Sequence, residues 1–106
     1  GQRWPAVHHA RMRLGCSKLN YDLCFNLHVI DQGTCRCGTP TEDAYHFLLF
    51  CPLYAAQRLT MRASVQPVTS FDMNTLLFGD PGISIDANMT VFGAVHKYII
   101  DTERFL

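Results

Sequence analysis

The sequence predicts a small all-α domain, and three observations carry that expectation. Apolar residues recur at steps of three and four, whereas period-two alternation never persists. Helix start and stop residues bracket those windows. The chain has 106 residues, 48% hydrophobic and 17% charged, which suits one folded core spanning residues 1–106 rather than a disordered chain or two domains. A core of this size is modest, and a structural metal would supplement it.

The first helix opens at Pro5 and stops at Gly15, with Trp4, Val7, Ala10 and Leu14 along one side. His9 and Arg13 fall four apart on the opposite side, Arg11 lies nearer the apolar edge, and the pair His8-His9 reads as an exposed polar edge. Leu19, Leu23 and Leu27 step by four and predict a second helix with Ser17 as N-cap. Residues 29–40, rich in Gly, Thr and Pro, read as a loop. Thr41 then caps a short helix whose first turn carries Glu42 and Asp43, as the helix dipole favours. Pro52 starts a fourth helix that runs to about Val65, with Arg58 and Arg62 as a basic i, i+4 stripe. Ser70 caps a fifth that ends at Gly79. After the turn Asp80-Pro81-Gly82, the stripe Ile85, Met89, Phe92, His96 and Ile99 predicts a long final helix packed on the core.

Chemistry concentrates between residues 35 and 51. Cys35-Arg36-Cys37-Gly38 is followed eight residues after Gly38 by His46, and then by Cys51. Three thiols and an imidazole suit tetrahedral zinc, and four protein ligands leave no open position, so such a site is structural. Cysteines one residue apart converge only if the backbone turns, and Gly38 can take the positive φ this needs. His46 and Cys51 would diverge by about 140° on an ideal helix. They meet only if the helix ends between them, and Pro52 biases Cys51 out of the α region. The competing reading is that all four are ordinary core residues. Cys16 and Cys24 lack such company and read as core or partly buried thiols, and His28 and His96 as packed or surface histidines.

The thiols of such a cluster stay reduced in an intracellular setting. The N-terminus Gly-Gln-Arg-Trp-Pro is not a secretory signal, and the longest apolar run is too short to span a membrane. The missing initiator Met points to a fragment of a longer chain. No Gly-rich phosphate loop, His-Glu-x-x-His pair or Gly-x-Ser-x-Gly elbow occurs, so no enzyme activity and no small-molecule substrate are expected.

Nine basic and nine acidic residues cancel, which is not the bulk signature of a nucleic-acid binder. Their placement is uneven, however. Residues 1–37 set Arg3, Arg11, Arg13, Lys18 and Arg36 against only Asp22 and Asp31, while residues 38–106 carry an excess of acids. A candidate face consists of Arg11, Arg13, Lys18, Arg36, Arg58 and Arg62, whose phosphate contacts would be sequence-independent and salt-sensitive. Tyr45 or Tyr54 could stack on an unpaired base, or each could be a core aromatic.

The run Cys35-Arg36-Cys37-Gly38 through Glu42, then His46-Phe47-Leu48-Leu49-Phe50-Cys51-Pro52-Leu53-Tyr54 and Arg58, resembles the zinc-binding C-terminal region of non-LTR retrotransposon reverse transcriptases. Arg11 to Asn20 resembles the basic segment leading into that knuckle. Leu76-Leu77-Phe78-Gly79 and Val95 to Ile99 are similar to the end of such polyproteins. Tyr45 departs from the pattern, standing where an acidic residue often precedes the histidine. The resemblance implies one structural zinc on Cys35, Cys37, His46 and Cys51, and a module that holds target DNA or template RNA during target-primed reverse transcription. Nuclease and RNA-directed DNA polymerase chemistry would lie upstream in the same polyprotein, in the nucleus and cytoplasm. The alternative is a protein-interaction scaffold docking onto the polymerase or a host partner, and a third reading is a folded remnant without its parental activity.

Overall fold

A computed structural model describes residues 3–106 and is all-α, with no strand among the described residues. The four main helices are α1 (Trp4–Leu14), α2 (Ala55–Val65), α3 (Met73–Phe78) and α4 (Ile85–Thr102). The longest, α4, is the central strut: α2 packs against it, and so do α1 and α3, which also touch each other. Its buried residues Val91, Val95, Tyr98, Ile99 and Thr102 recur at helical spacing and meet Met61, Val65, Leu76 and Leu77.

Two predicted helices take a different form. The segments Asp22–Asn26 and His46–Phe50 are single widened turns with i→i+5 hydrogen bonds, from Leu27 N to the Asp22 carbonyl and from Cys51 N to the His46 carbonyl, both 2.8 Å. Of the expected leucine stripe, Leu19 is fully buried and Leu23 half-buried, while Leu27 is exposed. Ser17 does cap this region, its hydroxyl accepting from Leu19 N, and Asp22 reaches back to the Ser17 amide and hydroxyl.

The caps shift by two residues in two places. Asp43, not Thr41, accepts from the His46 amide, and Asp72, not Ser70, accepts from Thr75 N. In both cases a carboxylate sits at the geometric cap position and also complements the helix dipole. Ser84 caps α4 by accepting from Ala87 N.

Two amphipathic assignments are overturned. In α1 the buried residues are Pro5, His8, His9 and Met12, while Val7 and Leu14 face outward, 44% and 77% exposed. The histidine pair is interior for two different reasons: His8 lies flat on Phe105, with ring centroids 4.4 Å apart, while its Nδ1 is buried without a hydrogen-bond partner among the described residues. His9 Nε2 donates to the Leu76 carbonyl at 2.7 Å and its Nδ1 lies 3.0 Å from His96 Nε2. In α4, Ile85 and Met89 are exposed, and only the later members of the expected stripe, Phe92, His96 and Ile99, reach the neighbouring helices. The first turns of the helix meet the core only on the side of Asn88 and Val91, where Asn88 exchanges hydrogen bonds with the Asp80 backbone, and Ile85 and Met89 lie on the other side.

Candidate metal centre

The loop from Cys35 to Thr39 is a tight knuckle. Gly38 N donates to the Cys35 carbonyl and Cys35 N to the Thr39 carbonyl, both at 2.9 Å. Gly38 takes φ 100°, which any Cβ would disfavour. This turn aims Cys35 and Cys37 at one point despite the single residue between them.

The other half comes from the widened turn His46–Phe50. Here the expectation that the helix must end between His46 and Cys51 meets a different solution. The i→i+5 bond carries Cys51 round until it lies nearly over His46, and only then does the chain break, with Cys51 extended at φ −62° and ψ 120° before Pro52. A short 3-10 turn, Pro52–Tyr54, leads into α2.

The four ligand atoms of Cys35, Cys37, His46 and Cys51 all lie within 4.8 Å of one another. Cys35 Sγ is 3.7 Å from Cys51 Sγ, and Cys37 Sγ is 3.4 Å from His46 Nε2. A tetrahedral ion bonded at about 2.3 Å to sulfur and about 2.0 Å to imidazole nitrogen requires edges of about 3.8 and 3.5 Å. The residues therefore fit one metal ion in both donor chemistry and spacing, and the four together could hold it.

The electrostatics of the two sides differ. Burial pushes the Cys35 thiol up to about 12, so its thiolate needs a cation beside it. On the open side, the Thr39 hydroxyl, 3.3 Å from the sulfur, and the Thr39 amide hold Cys37 at about 6. Cys37 is thus the more readily ionised of the two knuckle thiols.

Two residues outside the cluster hold it in place. Arg58 donates through Nε to the Leu48 carbonyl at 3.1 Å and through Nη2 to the Cys51 carbonyl at 2.7 Å, with the Phe47 carbonyl and the Tyr98 hydroxyl close by. The Tyr98 hydroxyl itself donates to the Phe47 carbonyl. The end of the widened turn leaves these carbonyls without helical partners, and a guanidinium supplies the missing donors. Arg58 shares an inward stripe with Tyr54, Met61 and Val65, at steps of four, three and four.

Glu42, predicted as a first-turn acid of a short helix, is 2% exposed and sits at a junction. Its Oε1 accepts from Arg104 Nη2 at 2.6 Å and from Asn20 N at 2.9 Å, and its Oε2 accepts from Arg104 Nε at 2.9 Å. Cys35 Sγ lies 3.8 Å from that second oxygen. Burial alone would raise the Glu42 carboxyl, but the Arg104 guanidinium and the Asn20 amide hold it below the ordinary carboxylate value. Neither partner had a local signal: Arg104 lies 62 residues away in sequence.

Of the six basic residues singled out, three are engaged within the fold. Besides Arg58, Arg13 donates to the Leu77 carbonyl at 2.9 Å and covers the Phe92 ring, and Arg62 lies 4.9 Å over the Phe71 ring. Arg11 is half-buried, and Lys18 and Arg36 are exposed. The charges of Arg11 and Lys18 both act on His8, and Arg104 Nη2 donates to the Lys18 carbonyl. Arg36 and Arg104 line one pocket. A broken basic strip thus runs from Arg11 through Lys18 and Arg104 to Arg36. Tyr54 is buried, while Tyr45 is half exposed and leans on the exposed Phe50 ring, 4.8 Å away. Cys16 and Cys24 are half-buried and His28 is exposed. No described helix is long and apolar enough to cross a membrane. Comparisons with protein families, curated proteins and solved structures give no match to this chain.

Proposed function

We propose that this chain is a non-catalytic, zinc-stabilised nucleic-acid-binding module of the retrotransposon reverse transcriptase type. In that reading it holds target DNA or template RNA during target-primed reverse transcription, within the nucleus and cytoplasm, while an upstream polymerase domain does the chemistry. The supporting observation is the juxtaposition of a three-cysteine, one-histidine cluster at tetrahedral spacing with Arg36, which the knuckle presents to solvent between two of the ligands. Zinc is the natural ion for that donor set, and when bound it supplies structural cross-linking alone, since four protein ligands leave no place for substrate. Three thiolates and a neutral imidazole around a divalent ion leave one negative charge, which the neighbouring Arg36 and Arg58 offset.

Arg11, Lys18 and Arg36 form the contact face, with Arg13 and Arg58 as the scaffold behind it, while Arg62 stays exposed over the Phe71 ring. Three phosphate contacts set the scale of the test. The zinc-loaded chain, titrated with a single-stranded oligonucleotide at rising salt, is expected to lose affinity with a log–log slope of about −2. Binding that ignores salt, or no binding to RNA or DNA, would remove this reading.

One observation favours a second role. Ala6, Val7, Ala10 and Leu14 leave the outer face of α1 apolar and uncovered. That face suits the docking of the upstream polymerase domain or a host protein, and salt-insensitive association would point there.

A further inference from the structure

Beside the metal cluster, a half-open pocket of about 210 Å³ lies between the knuckle and the C-terminal tail, lined by Asn20, Arg36, Glu42, Tyr54 and Arg104. The hydrogen-bonding capacity of its walls is unequally used. Both Glu42 oxygens are occupied by Arg104 and Asn20, so its charge is cancelled where it stands. The Asn20 side chain is likewise engaged, donating to the Thr34 carbonyl and accepting from Arg104.

The other side chains keep free donors. Arg104 uses Nε and Nη2 within the protein and leaves Nη1 without a partner among the described residues. Arg36 is exposed and forms no ion pair or side-chain hydrogen bond among the described residues. Tyr54 is the most telling. It is 7% exposed and its ring packs edge-on against Phe47 and Tyr98, yet its hydroxyl has no partner among the described residues and opens on the pocket. Its neighbour Tyr98, similarly buried, spends its hydroxyl on the Phe47 carbonyl. A hydroxyl on a buried ring, open to the pocket and without a protein partner, with two guanidiniums beside it, is a donor set suited to one acceptor. Burial raises the Tyr54 phenol above its ordinary value, so it keeps its proton at neutral pH.

Guanidinium forks and a phenol together match a tetrahedral oxyanion, which offers several acceptor oxygens and no donors. We propose that this pocket seats one phosphate group of a nucleic-acid strand, held by Arg36, the free end of Arg104 and the Tyr54 hydroxyl. The proposal rests on the nucleic-acid reading above and sharpens it. It adds Tyr54 and Arg104 to the contact residues, and it ties phosphate capture to the metal. Arg36 lies between two ligands and Tyr54 three residues after a third, so the ion sets the width of the pocket.

The test uses the zinc-loaded chain and 12-nucleotide single strands of RNA and DNA, labelled at the 3′ end and bearing either a 5′ hydroxyl or a 5′ phosphate. Fluorescence anisotropy is read for the wild type, Tyr54→Phe, Arg36→Ala and Lys18→Ala, with zinc content and melting temperature measured on each. Tyr54→Phe keeps the ring and its packing, so fold and zinc are expected to stay and affinity to fall about tenfold or more, roughly one hydrogen bond to a charged group. Arg36→Ala is expected to lower the salt slope by about one, while Tyr54→Phe leaves the slope unchanged. Equal binding of the two 5′ ends identifies an internal phosphodiester. Tighter binding of the 5′-phosphorylated strand, lost in Tyr54→Phe, identifies a terminal phosphate. Wild-type binding that weakens in Lys18→Ala but is untouched by Tyr54→Phe and Arg36→Ala would overturn the pocket and leave the functional reading standing. No wild-type binding to any strand would overturn both.

Discussion

Two polar intrusions interrupt the core of this domain, and they are stabilised in opposite ways. In one corner, three cysteines and a histidine from residues 35–51 converge within 17 residues of chain, in an arrangement that could hold one metal ion. In the seam between α1 and α4, His9 and His96 come from 87 residues apart and need none. The Leu76 carbonyl can only accept, so His9 Nε2 must carry the proton; its Nδ1 then accepts from His96 Nε2. That chain works only while the His9 ring is neutral, since a proton on its Nδ1 would remove the acceptor that His96 needs. The corner gathers donors that suit a cation, and the seam depends on positive charge being kept off His9.

The contrast predicts three effects of decreasing size. Removing the ion with a strong chelator, or changing Cys37→Ser or His46→Ala, is expected to unfold the middle of the chain, since structural zinc contributes ~10 kcal/mol or more to the folding of small domains. Circular dichroism should show helix loss, and elemental analysis of the untreated chain should show one zinc; an unchanged melting temperature in either variant would sink the metal assignment. Arg58→Ala comes next. It leaves the ligands in place but orphans the Leu48 and Cys51 carbonyls, for a loss of roughly 2 to 4 kcal/mol. Urea denaturation at saturating zinc measures this, and a variant as stable as the wild type would show that the clamp is idle.

The smallest effect belongs to the seam. Burial lowers His9 to about 4, against the raising influence of the Leu76 carbonyl. A folded value below the unfolded 6.5 means that the unfolded chain binds the proton more readily, so stability is whole above about pH 6.5 and drains away toward pH 4. Between pH 7 and pH 5 the wild type is expected to lose about 2 kcal/mol more than His9→Leu, read from urea midpoints at the two values. Parallel losses in the two proteins would mean that His9 is not held neutral in the fold.

The same contrast explains what the sequence made legible. The ligand set was readable because its spacing is local, and its geometry follows from a glycine turn and a proline break. The helical class was readable from periodicity. The histidine seam was not, because adjacent histidines ordinarily mark a wet edge and the partner ring lies at the far end of the chain. A signal was present, though: Pro5, His8, His9 and Met12 share one helical face. Arg58 is a similar case. Taken with Arg62 it reads as a basic stripe, but Tyr54, Met61 and Val65 put it on the buried one. Glu42 and Arg104 gave no signal at all, since each looks like a surface charge until the other is beside it.

The Glu42–Arg104 pair also bears on the order in which the chain assembles. The knuckle closes a short loop and the final residues close one of 62, and the longer closure costs more chain entropy and is slower to find. An ion captured early would position Cys35, and with it Glu42, before Arg104 arrives. The tail would then close as a latch on a socket already built, tying the last residues to the Lys18–Asn20 turn near the beginning.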